Sequence, residues 1–324
     1  MAEPTDAVDG PGERPLVSVI VPTYQRRERV LAALREVEAQ TWRPIEAVVV
    51  DDCSTDGTAD AVRARRSGIP VRVVELERNG GPGRARNVGI DHARGRYVAF
   101  LDSDDRWHPE KLSTQMALFE RDARPDRLVA YSRVVIERDS DTVVRPERPI
   151  ADGEPVGDYL FVDAGVLHTS TLVMPTALAA RVRFVDAMRL HEDWDLLMRL
   201  QRAGARFAMA EAPLATWDDR SAPGRSSAPR PERSFAWLEA QRGVLSTAAY
   251  LALRAKIAPQ LRASRPVAGL GYVWSAWARG AIGLDYLLAL HLDFVHPGSR
   301  RLLRAALHRI GRGRNGGASG PSAE

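Results

Sequence analysis

Between residues 17 and 101, short apolar runs alternate with segments of helical period, and each of the main runs opens into a polar cluster. Residues 17–21 (Val-Ser-Val-Ile-Val) end at Pro22, and Val30, Leu31, Leu34 and Val37 then recur at the 3.6-residue spacing of a helix packed on a sheet. A second run at 45–50 leads into Asp51-Asp52-Cys53-Ser54-Thr55-Asp56-Gly57, followed by a helix predicted over 58–66 and a strand over 71–74. The Gly/Pro turn at 79–83 precedes a helix predicted over 84–93, and the run at 97–101 delivers Asp102-Ser103-Asp104-Asp105. This alternation predicts an α/β, Rossmann-like fold with a mainly parallel central sheet, in which ligands bind beyond the carboxyl ends of the strands. The polar clusters occupy those ends.

Beyond residue 111 the pattern loosens. Strands are expected at 128–136 and 169–174, a Pro/Asp/Arg-rich loop at 139–158, and a helix at 193–203 whose Leu196, Leu197 and Leu200 form an apolar stripe ended by Gly204. The expected organisation is a disordered leader (1–15), a catalytic domain (16–217, divided near 110), a flexible loop (218–233), a helical extension (234–311) and a disordered tail (312–324). Helices in the extension are predicted at 234–256, 267–292 and 299–310.

Charge and cysteine content exclude more than they identify. The 46 basic and 42 acidic residues are mixed along the chain, without the basic block of a nucleic-acid binder. The single Cys53 forbids an intramolecular disulfide and fits a reducing compartment. The leader lacks the apolar segment of a signal peptide, so a cytoplasmic protein is expected, with peripheral attachment at the inner face of the membrane left open.

Asp102-Ser103-Asp104-Asp105 puts several carboxylates at one strand end, before Trp107-His108-Pro109, where Pro109 is placed to start a helix. Oxygen ligands of this kind suit Mg²⁺ or Mn²⁺ bridging a carboxylate to a diphosphate; an acidic helix cap is the alternative. With this cluster, five segments in order resemble the family 2 glycosyltransferases of the GT-A fold: residues 17–24, 50–58, 79–89, 102–105 and His191-Glu192-Asp193-Trp194-Asp195. The resemblance covers about residues 16–217. It implies a GT-A type nucleotide-diphospho-sugar transferase fold and an inverting, non-processive transfer that depends on a divalent metal. It also implies a nucleotide-sugar donor, UDP-linked most commonly, and a glycan, lipid-linked or small-molecule acceptor.

Carried over by position, the resemblance implies that Pro22, Thr23 and Tyr24 line the nucleoside pocket and that Asp52, beside Asp51, contacts the base. Arg84 would approach the base or diphosphate, with Asn87 packing the loop closed. Asp102, with Ser103 beside it, would face the ribose and help Asp104 hold the metal. Asp193 is the expected general base and Glu192 its neighbour, since transfer to a hydroxyl requires removal of its proton. A nucleotidyltransferase, which releases pyrophosphate, and a catalytically silent nucleotide-sugar binder are the competing readings. The helices carrying Trp237, Trp274 and Trp277 are expected to pack on the catalytic domain or on a second subunit of a homodimer, with an anionic membrane surface as the alternative.

Overall fold

The computed structural model describes residues 14–139, 141–220 and 231–295. The chain divides into two compact units, Met1–Leu160 with Ala164–Arg225, and Phe161–Asp163 with Ser226–Glu324.

The first unit is built on a nine-stranded sheet. Strand β1 (Val17–Thr23) lies between β2 (Ile45–Asp51) and β4 (Tyr97–Phe100), parallel to both, and β3 (Val71–Glu75) extends the parallel run beyond β2. Every residue of β1 and β2 is buried, which is why both read as nearly unbroken apolar runs. Helix α1 (Arg27–Glu38) lays Val30, Ala33, Leu34 and Val37 on the sheet, the spacing of a single helical face. Each such fully buried Val or Leu contributes about 1.5–3 kcal/mol. Helices α2 (Thr58–Ala64) and α3 (Pro82–His92) complete the crossovers. A Cβ on Gly89 would sit 2.3 Å from Cγ2 of Ile20, so glycine is what allows α3 to lie this close to β1.

The second half of the sheet is mixed. Strand β8 (Val173–Pro175) joins β4 antiparallel, and β6 (Leu128–Glu137) follows, paired in parallel with β9 (Arg206–Asp218). Strand β7 (Thr142–Arg145) forms a hairpin with β6, and the short β5 (Arg106–Trp107) closes the far edge against β9. Helices α4 (Lys111–Arg121), α5 (Val156–Phe161), α6 (Thr176–Val182) and α7 (Glu192–Arg202) complete the series.

Several sequence expectations are corrected here. The 13-residue strand β9 is missing from them, because Pro213 interrupts its pattern. The register of β9 on β6 shifts there, from Ser132↔Ala210 to Arg133↔Pro213, so the proline sits at a bulge where no ladder N–H is needed. Pro109 does not open a helix: α4 begins at Lys111, and the Pro109 carbonyl accepts from Thr41 N–H. The expected loop at 139–158 contains β7 and the start of α5, and the expected strand at 169–174 is a 3₁₀ turn (Thr169–Thr171) before β8.

In the second unit the two long predicted helices are each divided. Ser246 caps α9 (Thr247–Ile257), its hydroxyl accepting from Ala249 N–H, and separates it from α8 (Pro231–Ala240). Gly280, at φ +70°, ends the stretch between α10 (Pro266–Ala278) and α11 (Leu284–Val295). The helix expected at 299–310 and most of the loop expected at 218–233 lie outside the described residues.

Candidate active site

The site forms where β1, β2 and β4 end and α7 begins. At the end of β1, Pro22 and Thr23 are buried, and Thr23 Oγ1 has no hydrogen-bond partner among the described residues. Tyr24 follows with 46% of its surface exposed, an open aromatic face at the strand end.

At the end of β2, Asp51 accepts the Ser54 N–H at 3.0 Å. Asp52 accepts the N–H groups of Gly80 (2.7 Å) and Gly81 (2.8 Å), one on each carboxylate oxygen, and its carbonyl accepts from the Asn79 amide. Burial pushes the Asp52 carboxyl above its ordinary pKa, opposed in part by those two N–H groups. Asp52 therefore clamps the glycine turn. Arg189 holds the other side of that turn, donating to the Asn79 side chain (2.7 Å) and carbonyl (2.8 Å). Arg84 lies with its stem against Gly80, close enough for its charge to favour the Asp52 carboxylate. Asn87 closes a different segment from the one expected: its amide donates to Phe184 O and Asp186 and accepts from Phe184 N–H.

The end of β4 carries the densest charge. Asp102 accepts from Arg86 Nη2 at 2.6 Å, and the other end of the same guanidinium lies 3.4 Å from Glu192 on α7. Arg86 is almost completely buried, with its guanidinium 5.2 Å over the Phe184 ring. Burial opposes its charge, but Asp102, Glu192 and Asp193 together hold it cationic. Asp105 is buried and accepts the Ser170 hydroxyl at 2.6 Å, while Ser170 Oγ in turn accepts the Asp102 N–H. His168 Nδ1 is 3.5 Å from Asp105 and accepts from Ser170 N–H, and its ring stacks on Trp217 at 4.7 Å. Burial lowers the His168 pKa, which favours the neutral imidazole that a metal requires.

Ligand atoms of Asp102, Asp105 and His168 lie within 4.8 Å of one another. Two carboxylates and one imidazole at that spacing fit a divalent cation, and the imidazole favours Mn²⁺ over Mg²⁺. Burial first, then the Asp102 charge, pushes the Asp105 carboxyl well up, an arrangement that a cation between the two would relieve. Asp104, the residue expected to lead in metal binding, pairs with Arg26 (3.0 Å) and Arg29 (3.7 Å), and the buried Ser103 lies 3.5 Å from Arg26.

Glu192 and Asp193 open α7, where carboxylates are favoured by the helix dipole. Burial, reinforced by the Glu192 charge, pushes the Asp193 carboxyl up to about 6, with the Trp194 N–H (2.8 Å) opposing. His191, at φ +62°, precedes them and stacks flat on Trp194, 4.5 Å between ring centres. This gives an aromatic pair beside the candidate base.

Beneath the 3₁₀ turn lies Lys111, one of only two lysines among 46 basic residues. Its ammonium sits 4.1 Å over the Trp107 ring and donates to Gln115, which holds Thr171 O, while Trp107 Nε1 holds Ser170 O. Desolvation lowers the Lys111 pKa well below its usual value. The unfolded chain therefore takes up a proton in the alkaline range that the folded chain does not, and stability falls as pH falls through that range. Relative to Lys111→Met, the parent should gain stability as pH rises toward the ordinary lysine pKa, by up to about 1.4 kcal/mol per pH unit. Urea unfolding of both proteins at several pH values tests this, and a constant difference between them would reject it.

The sequence motifs do not single out Arg86, His168 or Ser170 and leave Asp105 without a role. Arg86 was detectable, because it lies on the inward stripe of α3 with Gly83 and Ile90, where a buried arginine requires carboxylate partners. His168 and Ser170 carry no such signal.

The model of the family "Glycosyl transferase family 2" matches residues 18–185, just over half of the chain. The chain belongs to that family. It is 36% identical over 206 residues to the amylovoran biosynthesis glycosyltransferase AmsB of Erwinia amylovora, covering 62% of this chain and 68% of AmsB. Over 126 residues it is 35% identical to the Escherichia coli UDP-Glc:alpha-D-GlcNAc-diphosphoundecaprenol beta-1,3-glucosyltransferase WfaP, covering 38% of this chain and 48% of WfaP. It thus spans about two thirds of the first relative and half of the second. Staphylococcus aureus TarS (residues 1–349), solved with UDP-GlcNAc, superposes with a TM-score of 0.58 at 23% identity, covering 91% of this chain and 92% of that one. The Pyrobaculum calidifontis mannosyltransferase PcManGT, solved with GDP-Man and Mn²⁺, superposes at 0.56 and 22% identity, covering 95% and 90%. These structures establish the GT-A fold.

Proposed function

We propose that the protein transfers a sugar from a nucleotide-diphospho-sugar, UDP-linked, to a hydroxyl of a glycan or lipid-linked acceptor, inverting the anomeric centre and requiring a divalent cation. The observation that carries this reading is Arg86, which joins the carboxylate at the end of β4 to the acidic start of α7. That bridge supports a donor site and a base at one place. The UDP-sugar in TarS and the lipid-linked acceptor named for WfaP support the substrate classes.

In this reading Tyr24 stacks on the base, Thr23 supplies a hydroxyl near it, and Arg84 with the glycine turn faces the diphosphate. Asp102, Asp105 and His168 would hold the cation, which would supply positive charge to stabilise the departing diphosphate. Asp193 takes the proton of the acceptor hydroxyl as its oxygen bonds to the anomeric carbon and the bond to the diphosphate breaks, releasing nucleoside diphosphate. The His191–Trp194 pair offers a flat face for the acceptor's sugar ring.

The test is a panel of UDP- and GDP-sugars with Mn²⁺ or Mg²⁺ and glycan or lipid-linked acceptors, with the phosphorus product identified. Release of pyrophosphate would indicate a nucleotidyltransferase, and binding without turnover a silent binder. Chelation with EDTA should abolish transfer. Mn²⁺ affinity, read by calorimetry in the presence of UDP, should fall at least about ten-fold in Asp105→Asn and His168→Ala and change little in Asp104→Asn. The opposite ranking would return the metal to Asp104.

A further inference from the structure

The second unit presents an apolar face that its own packing leaves uncovered. Helix α10 contains no charged residue from Pro266 to Ala278. Its inner side is filled: Gly269, Val273 and Ala276 are buried, and a Cβ on Gly269 would meet the Phe294 ring at 2.5 Å. Its outer side is apolar too, with Val267 83%, Trp274 47% and Trp277 40% exposed. On helix α11, Leu284 (53%) and Leu288 (48%) are exposed, one turn apart on the stripe that also carries His291. Trp274 stands edge-on to Trp277 at 5.8 Å and to His291 of α11 at 5.9 Å, which joins the two stripes into one surface. A helix apolar all round is normally enclosed; here half of it meets solvent.

The charge around this face is cationic. Arg262, Arg265 and Arg279 are exposed at the two ends of α10, against the exposed Asp285 and the partly buried Asp293 of α11. Beyond α11 the sequence carries Arg300, Arg301, Arg304, Arg309, Arg312 and Arg314, with no acidic residue between Asp293 and Glu324. A protein partner would need carboxylates matched to Arg262, Arg265 and Arg279 along the rim, whereas an anionic bilayer supplies negative charge at any spacing. Tryptophan is also the side chain suited to the headgroup boundary, with an apolar ring and one N–H donor. No helix among the described residues is long and apolar enough to cross a membrane.

We propose that the α10–α11 face docks in the plane of an anionic lipid bilayer, with Trp274, Trp277, Leu284 and Leu288 entering the headgroup boundary and Arg262, Arg265 and Arg279 neutralising lipid phosphates. This goes beyond the proposed transfer reaction and stands on different residues.

The experiment is co-sedimentation of the full chain with phosphatidylcholine vesicles and with vesicles containing about one third phosphatidylglycerol, at low and high salt. Parent binding to the anionic vesicles should be at least about ten-fold tighter than to the neutral ones and should weaken with salt. Trp274→Ser with Trp277→Ser should reduce that binding at least about ten-fold, and Leu284→Ser with Leu288→Ser should act in the same direction. Melting curves of both variants identify any fold defect, and brominated lipids should quench parent tryptophan fluorescence without any substitution. Absence of vesicle binding together with a dimer that the tryptophan changes dissolve would overturn the proposal in favour of a second copy of the chain. Vesicle binding that survives both pairs of substitutions, or absence of quenching, would also overturn it.

Discussion

Replacing Arg86 with methionine should destabilise the protein by about 3 kcal/mol at neutral pH and abolish measurable donor binding. Methionine keeps much of the side-chain volume and the contact with Phe184, so the loss falls on the charge. Asp102 and Glu192 would each lose their guanidinium partner, at 2.6 and 3.4 Å, inside a cluster that also contains Asp105 and Asp193. Burial alone would raise the Asp102 pKa; Arg86, with His168 and Arg26 adding less, reverses this and holds the carboxyl below its ordinary value. A carboxyl depressed in the folded state contributes stability above its unfolded pKa and loses it as pH falls through the folded value. In Arg86→Met burial acts on Asp102 without its main opponent, so that carboxyl rises and the variant regains stability as pH falls through it; the deficit should be largest near pH 7 and shrink toward pH 4 as Asp102 protonates. Urea unfolding at pH 4.5 and 7.5 measures this. A variant as stable as the parent at both would show that Arg86 does not hold the two acidic groups together.

The legible part of this protein is the part whose chemistry repeats along the chain. Buried parallel strands have to be apolar on both faces, so β1 and β2 stand out, and ligand-binding residues of such sheets collect where those strands stop. Those rules place Tyr24, Asp52 and Asp102 at strand ends. They do not distinguish Asp104 from Asp105. Neighbouring residues of an acidic turn point in different directions, and here the directions are set by residues distant in sequence: Arg26 and Arg29 take Asp104, while Ser170 and the Asp218 N–H take Asp105. His168 is invisible for the same reason, since it reaches the site through a 3₁₀ turn in a stretch without period. Strand β9 is hidden by a proline that a bulge accommodates, and the bulge exists only in the pairing with β6.

Replacing Asp193 with asparagine should lower transfer by about 10²–10⁴ while leaving nucleoside-diphosphate affinity within about two-fold of the parent, since the amide keeps the shape and the Trp194 contact but cannot take a proton. Burial first and Glu192 second push the Asp193 carboxyl up to about 6. A base of that pKa is ionised at neutral pH yet still a useful acceptor, so kcat/KM should rise with pH through about 6 and then level. The same shift has the opposite consequence for folding. A carboxyl whose folded pKa is raised is most favourable below its unfolded pKa, and that contribution is lost as pH rises through the folded value. Above pH 6 the parent carries a partly buried charge next to Glu192 that the asparagine variant lacks, so the variant should melt at a higher temperature than the parent at pH 7.5 and close to it at pH 4. Lost turnover with gained stability separates a catalytic carboxylate from a structural one, for which both would fall. Single-turnover transfer, UDP titration and thermal melts on one preparation make the comparison. Equal losses in transfer and UDP binding would assign Asp193 to the donor pocket, and unchanged transfer would remove it from the reaction.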